Sequence, residues 1–253
     1  MEKLPAATGW LWIKQGFALF RKQPAELSTL FLSYMFLMMV ITIIPLLGQL
    51  LPLVLVPVFS MAFMQACVQV EKGQRVYPNL LLTGFRSPAF WTLVKLGALY
   101  VLAAIVAIGT SALIDGGMFW NVMAGSARVD AKTVQGSGIT LAMLLAAVLY
   151  TPAAMAFWFA APLIAWQGMG LGKALFYSFY AVKRAGRAFM LYALGWSAIG
   201  VVLPLLLSTL LGRLTGSPAL MMMVLLPLSI ILTVVMYCSF YPTYTTLFDK
   251  PSQ

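Results

Sequence analysis

The chain contains no histidine, and only six of its 253 residues are acidic. Without histidine the commonest metal ligand and the usual general base near neutral pH are both missing. The acids are Glu2, Glu26, Glu71, Asp115, Asp130 and Asp249, and none stands near the middle of an apolar run. Ionisable groups inside a membrane are costly and usually functional, so this pattern argues against proton-coupled transport and intramembrane catalysis. A non-enzymatic protein is expected, with no catalytic residue, no metal and no cofactor. Cysteine is scarce too: Cys67 and Cys238 both fall in or near apolar runs. They read as packed small hydrophobes in preference to a disulfide or a metal pair. Charge of either sign amounts to 9%, against roughly 25% in soluble domains. Such a chain cannot cover a water-facing surface. Lipid is its solvent.

What the sequence does have is apolar length: 62% of its residues are hydrophobic and the mean hydropathy is +0.95. About 20 apolar residues cross a bilayer. On that measure spans are expected at about 27–44, 50–70, 90–113, 139–166, 189–211 and 218–248, making an all-α polytopic bundle in one integral membrane domain. The first apolar run starts only near Leu27 and outlasts a signal peptide, so a cleaved leader is not expected. Ahead of it, residues 8–23 predict a basic amphipathic helix lying on the membrane. Trp10, Ile13, Phe17 and Phe20 repeat at three- and four-residue spacing, with Lys14, Arg21 and Lys22 elsewhere. Residues 77–88, with Arg86, and 171–187 form two further interfacial segments. In the latter, Leu171, Leu175, Phe179 and Val182 share a face and Lys183, Arg184 and Arg187 follow. The turn between the first two spans is short and uncharged, predicting a tight hairpin, with a re-entrant pair as the alternative. Residues 115–138 are rich in Gly and Ser around Arg128, Asp130 and Lys132, a composition that suggests mobility.

The net charge of +10 invites a nucleic-acid reading. Placement speaks against it, because nearly all the cations flank apolar spans. Of sixteen Lys and Arg, only Arg128, Lys132 and Arg213 fall on one side of the expected bundle. By the positive-inside rule both termini face the cytoplasm of an inner membrane.

The segment Gly16-Phe-Ala-Leu-Phe-Arg-Lys22 aligns with Ser178-Phe-Tyr-Ala-Val-Lys-Arg184, a basic pair ending each. Residues 77–86 occupy the same place before the third span. Each even-numbered span also carries a proline towards its cytoplasmic end: Pro57, Pro162 and Pro242. Units that each cross twice would be parallel internal repeats. The alternative is that short basic, aromatic segments recur at any cytoplasmic interface. Pro5-Ala-Ala-Thr-Gly-Trp10, the segment 14–24 and the segment 45–63 resemble an uncharacterised family of bacterial six-span inner-membrane proteins. That resemblance covers most of the chain. More loosely, residues 161–187 are similar to the membrane domain associated with glycerophosphodiester phosphodiesterases, without the catalytic barrel. The resemblance implies topology and supplies no activity.

Motifs with chemistry are few. Gly168-Met-Gly-Leu-Gly-Lys173 superficially suggests a phosphate loop, but the spacing is wrong and Ala174 stands where Ser or Thr is needed. Neutral polar residues within spans, Ser60, Thr151 and Thr233 among them, are expected to join helices. Small residues four apart (Ala103, Ala107 and Ser111; Ala142 and Ala146; Ala193 and Ser197) predict packing seams. Tyr237, Tyr241, Tyr244, Trp10, Trp12 and Trp91 suggest an interfacial aromatic belt. Asp115 reads as a helix terminus. The functional expectation is an envelope support or regulatory protein whose cations Lys14, Arg21, Lys22, Lys183, Arg184 and Arg187 contact anionic lipid headgroups or an acidic membrane partner, or a homo-oligomer, and no nucleic acid. The alternative is a transporter or channel for a small neutral or lipid-like solute, through a proline-bent cavity between spans two, four and six.

Overall fold

Proline and glycine mark most of the helix boundaries. In the computed structural model, which describes residues 4–44, 48, 50–126, 138–248 and 250, α1 (Ala7–Lys22) stops at Gln23, and Pro24 opens α2 (Pro24–Thr42). Proline suits the first helical turn because its missing N–H has no partner there anyway. The central helix α3 (Leu51–Glu71) is followed by a 3-10 turn (Pro78–Leu82) running into the short α4 (Thr83–Arg86). Next come α5 (Phe90–Asp115), α6 (Met118–Met123), α7 (Ile139–Phe157), α8 (Ala160–Gln167) and α9 (Leu171–Arg184). The last span pair is α10 (Gly186–Ser197), a π turn (Ala198–Val202), α11 (Leu203–Thr215) and α12 (Pro218–Leu247).

Among the described residues six stretches are long and apolar enough to cross a membrane: α2, α3, α5, α7 with α8, α10 with α11, and α12. Their bounds lie within a few residues of those expected from hydropathy. The hairpin helices α2 and α3 have 19 and 21 residues, each sufficient for a crossing. Arg128, Asp130 and Lys132 lie outside the described residues.

One helix organises the bundle. In α3, 61% of the apolar stretch is buried, whereas the other five candidate spans bury only 11% to 17% and leave the rest for lipid. Around α3 the interfacial elements dock in a repeated way. Each packs on the even-numbered span that precedes it, and α1 closes the ring by packing on the sixth, α12. The docking residue is small each time. A Cβ on Gly16 would stand 2.7 Å from Ser239 Cα, three residues before Pro242. A Cβ on Gly84 would strike the Val58 carbonyl oxygen, beside Pro57. Ser178 bonds to the backbone at Phe159, three residues before Pro162. The same economy joins α5 to α3, where Gly97 lies against the Val54 carbonyl.

At the basic end the loops are tied. Gln23 Nε2 donates to Gln74 O at 2.7 Å, and its Oε1 accepts from Val76 N at 3.0 Å. Lys250 Nζ donates to Glu71 Oε1 at 2.7 Å, and Tyr241 donates to Glu71 Oε2 at 2.7 Å. Asp115 has a structural role, accepting from Gly117 N at 2.9 Å and Phe119 N at 2.6 Å to cap α6. The two thiols, both buried, adjoin between α3 and α12.

Overpacking of a tight contact costs about 1–3 kcal/mol. Gly16→Leu and Gly97→Leu are expected to lower the melting temperature in detergent, while Gly109→Leu, which meets nothing within 4 Å, leaves it nearly unchanged. Equal effects at all three sites would contradict the docking described. Independently, oxidation with iodine should link Cys67 to Cys238, so that tryptic fragments carrying them separate only after reduction.

Candidate functional site

The cations assigned from the sequence lie on two helices whose opposite faces are buried. On α1 the inward residues are Gly9, Trp12, Ile13 and Gly16, and Lys14, Arg21 and Lys22 are exposed. Trp12 is wholly buried against Phe189 and Tyr192, its indole N–H donating to Thr246 Oγ1 at 3.0 Å. The buried face of this interfacial helix is therefore packed against α10 and α12. Trp10 stays 43% exposed, so the stripe proposed from spacing is displaced towards Trp12 and the two glycines. A glycine has no side chain to mark a buried face. That hid it.

On α9, Ala174, Ser178 and Val182 point inward, and Lys173, Phe176, Tyr177, Tyr180, Lys183 and Arg184 form the exposed face. Arg187 is exposed one residue into α10. Lysine stems run over aromatic rings here: Lys173 Nζ lies 5.8 Å from the Tyr177 centroid and Lys183 Nζ 6.0 Å from that of Phe179. The fold thus gathers Lys183, Arg184 and Arg187 around one helix junction, and it carries Lys14, Arg21 and Lys22 on a separate helix.

The seat of α9 is a break in the fourth span. Pro162 has no N–H for the Trp158 carbonyl, and the chain kinks between α7 and α8. Ser178 repairs the break: Phe159 N donates to its Oγ at 2.9 Å, and that hydroxyl donates to Met155 O at 2.9 Å. In lipid no water replaces such bonds. The glycine-rich segment after α8 serves as a helix end. Gly168 adopts φ 62°, and Met169 N donates back to Leu163 O at 3.2 Å.

Beside this break a cavity of about 570 Å³ opens among α3, α7, α10 and α12. Its wall is aromatic: Phe63, Tyr150, Trp158, Phe189, Tyr192, Trp196, Tyr237 and Phe240. A neighbouring pocket of about 230 Å³ shares Ser60, Tyr150, Ala154, Trp158 and Phe240 with it. Ser60 and Thr151 reach the wall, but their hydroxyls donate within their own helices, to Pro57 O and Ala147 O. Thr233 likewise donates to Ser229 O at 2.7 Å and is not part of the lining. The span hydroxyls expected to join helices mostly bond back to their own turn, the cheapest satisfaction available in lipid. Between α10 and α12 the polar link is Ser239. Its hydroxyl donates to Met236 O at 2.7 Å, so it accepts from Tyr192 (2.7 Å) and from Trp196 Nε1 (3.2 Å). The indole N–H of Trp158 is buried without an acceptor among the described residues.

Two further expectations need revision. Trp12, Tyr241 and Tyr244 belong to the core and not to an aromatic belt, whereas Trp91 is 72% exposed. The seam of Ala107, Ser111, Ala142 and Ala146 is buried between α5 and α7, but Ala193 and Ser197 are exposed, and Ala193 lines the cavity. The cavity residues of α10 had a legible signal: Phe189, Tyr192 and Trp196 fall at helical spacing of three and four.

A helical bundle with six membrane-length helices among the described residues is a polytopic membrane protein. The chain belongs to the same family as a probable inner membrane protein of Burkholderia thailandensis, to which it is 38% identical over 251 residues, covering 97% of this chain and 93% of the relative. No family model matches it. No solved structure matches either.

Ser178→Ala removes the partner of a buried N–H and should cost about 1–3 kcal/mol. Unfolding in a mixed-micelle denaturant titration checks this, with Thr151→Ala, whose hydroxyl bonds only its own helix, expected to stay near wild type.

Proposed function

We propose that this inner-membrane protein is a non-enzymatic, lipid-interacting component of the envelope that holds anionic headgroups of the cytoplasmic leaflet on its basic end. Both termini then face the cytoplasm. The observation that carries the reading is α9, pinned by Ser178 and presenting Lys173, Lys183 and Arg184 interleaved with exposed Phe176, Tyr177 and Tyr180. Aromatic rings and cations together suit the headgroup layer, and each cation near an anionic leaflet contributes about 1 kcal/mol. Lys14 and Arg21 on α1 and Arg187 at the start of α10 are exposed as well. Lys22 shares the neighbourhood of Glu71 with Lys250, so its charge is partly offset.

A second reading, movement of a lipid-like solute, is favoured by the cavity between spans two, four, five and six. No Lys, Arg, Asp or Glu stands in its lining, which suits a largely apolar passenger.

Replacing Lys14, Arg21, Lys22, Lys183, Arg184 and Arg187 with Gln is expected to reduce enrichment of phosphatidylglycerol over phosphatidylcholine around the protein in mixed nanodiscs by an order of magnitude or more. The wild-type enrichment should fall as salt rises. An unchanged, salt-insensitive enrichment in the variant would sink this reading.

A further inference from the structure

The cavity sits where the repeated architecture is incomplete. At the first junction between units, α3 packs along α5, with Gly97 against the Val54 carbonyl. At the closing junction, α12 packs on both α1 and α2. At the remaining junction, between the fourth and fifth spans, no comparable seam joins α7 to α10 among the described residues. The two helices meet at Trp158, whose ring lies 5.3 Å from Phe189 and 6.1 Å from Tyr192. The space left by the missing seam is the cavity, so its open side faces the bilayer.

A mostly apolar ligand drawn from the bilayer matches this lining. Its volume of about 570 Å³ falls within the roughly 300–1,000 Å³ of ordinary ligand sites. The wall residues Ser60 and Thr151 have spent their hydroxyl hydrogens on backbone carbonyls, and no Lys, Arg, Asp or Glu stands in the lining. The surface is therefore mostly hydrocarbon and aromatic ring, with the Trp158 indole N–H as a donor left over among the described residues. Charge identifies the other end of the ligand. Val182 and Phe189 line the cavity, and between them in the chain stand Lys183, Arg184 and Arg187 at the junction of α9 and α10. A ligand with its tail among the aromatic rings has its head at those three cations.

We propose that the cavity between α7 and α10 is a binding site for one anionic glycerophospholipid, one acyl chain entering from the bilayer and its headgroup held at Lys183, Arg184 and Arg187. The site deepens the lipid-interacting reading and rests on it for the headgroup alone. A third unit-to-unit seam would have closed the bundle. Here a lipid chain takes the place of helix packing.

The test uses phosphatidylglycerol carrying a photoreactive diazirine on one acyl chain, with the full-length protein in phosphatidylcholine nanodiscs. Labelled peptides are mapped by mass spectrometry. Labelling should concentrate on Tyr150, Met155 and Trp196, several-fold above the outward-facing Leu141 and Met143. Filling the cavity with Ala193→Phe, or with Ala154→Phe, should reduce cavity labelling at least fivefold and leave Leu141 and Met143 unchanged. The triple change Lys183→Gln, Arg184→Gln, Arg187→Gln should abolish preference for this probe over its phosphatidylcholine analogue while the chain still labels the cavity. Wild-type cavity labelling no higher than at Leu141 and Met143, or labelling unaffected by both filling variants, overturns the chain site. Equal labelling by the anionic and zwitterionic probes in the wild type overturns the headgroup assignment. Displacement by a polyprenyl phosphate, but not by unlabelled phosphatidylglycerol, transfers the site to an isoprenoid. Because chain labelling and headgroup preference are read separately, failure of the basic-face reading is distinguishable from failure of the cavity.

Discussion

In a bilayer, hydrophobic burial gives little reason for one helix to prefer another helix over lipid, so close contact and satisfied hydrogen bonds must carry the association. This protein meets the requirement at three points of one kind. Gly16, Gly84 and Ser178 each bring an interfacial segment onto the backbone of an even-numbered span, within a turn of Pro242, Pro57 or Pro162. A residue without bulk, or with only a hydroxyl, lets an interfacial segment reach the backbone of the span: Gly84 at Val58 O, Gly16 at Ser239 and Ser178 at Phe159 N. Ser178 shows the chemistry in full, since it satisfies a donor and an acceptor at the same break. The positions of the basic segments follow from these contacts, and so does the placing of charge at one end of the bundle.

Much of this was legible in the sequence, because long apolar runs have only one structural use. The six spans and the basic segments fall where hydropathy and proline placed them. The internal alignment of Gly16 with Ser178 also set side by side two residues that dock in equivalent ways. What was not legible is which face of a helix turns inward when the solvent is lipid. Hydrophobicity no longer distinguishes inside from outside, so Trp12 and Tyr244 looked like interfacial aromatics and are core. Ala193 and Ser197 had seam spacing and lie exposed. Residue size distinguishes better: glycine at Gly9, Gly16, Gly84 and Gly97 marks a face that touches backbone, and Gly109 marks none.

The cavity combines these two themes. It lies next to the break bridged by Ser178, between α7 and α10, which share no comparable seam among the described residues. Lys183, Arg184 and Arg187 stand in the chain between its lining residues Val182 and Phe189. Its lining is supplied by four different spans, with aromatic rings that serve as core elsewhere in the same helices. Trp158 stands at the crossing of these roles, touching Phe189, Tyr192 and Phe240 while bordering both pockets.

The π turn at Ala198–Val202 divides the fifth span into two mechanical parts. On its basic side, α10 buries Ala188 and Tyr192 and is tied to Ser239. Beyond it, α11 buries no residue at all and leans on α12 alone among the long helices. Cooperative stability follows buried contacts, so the two halves are separate units: one is fastened to the bundle, and the other yields with the surrounding lipid. The joint between them lies two residues past Trp196, at the edge of the cavity wall. Bending there would swing α11 while leaving α10 and the docking contacts of the basic end in place.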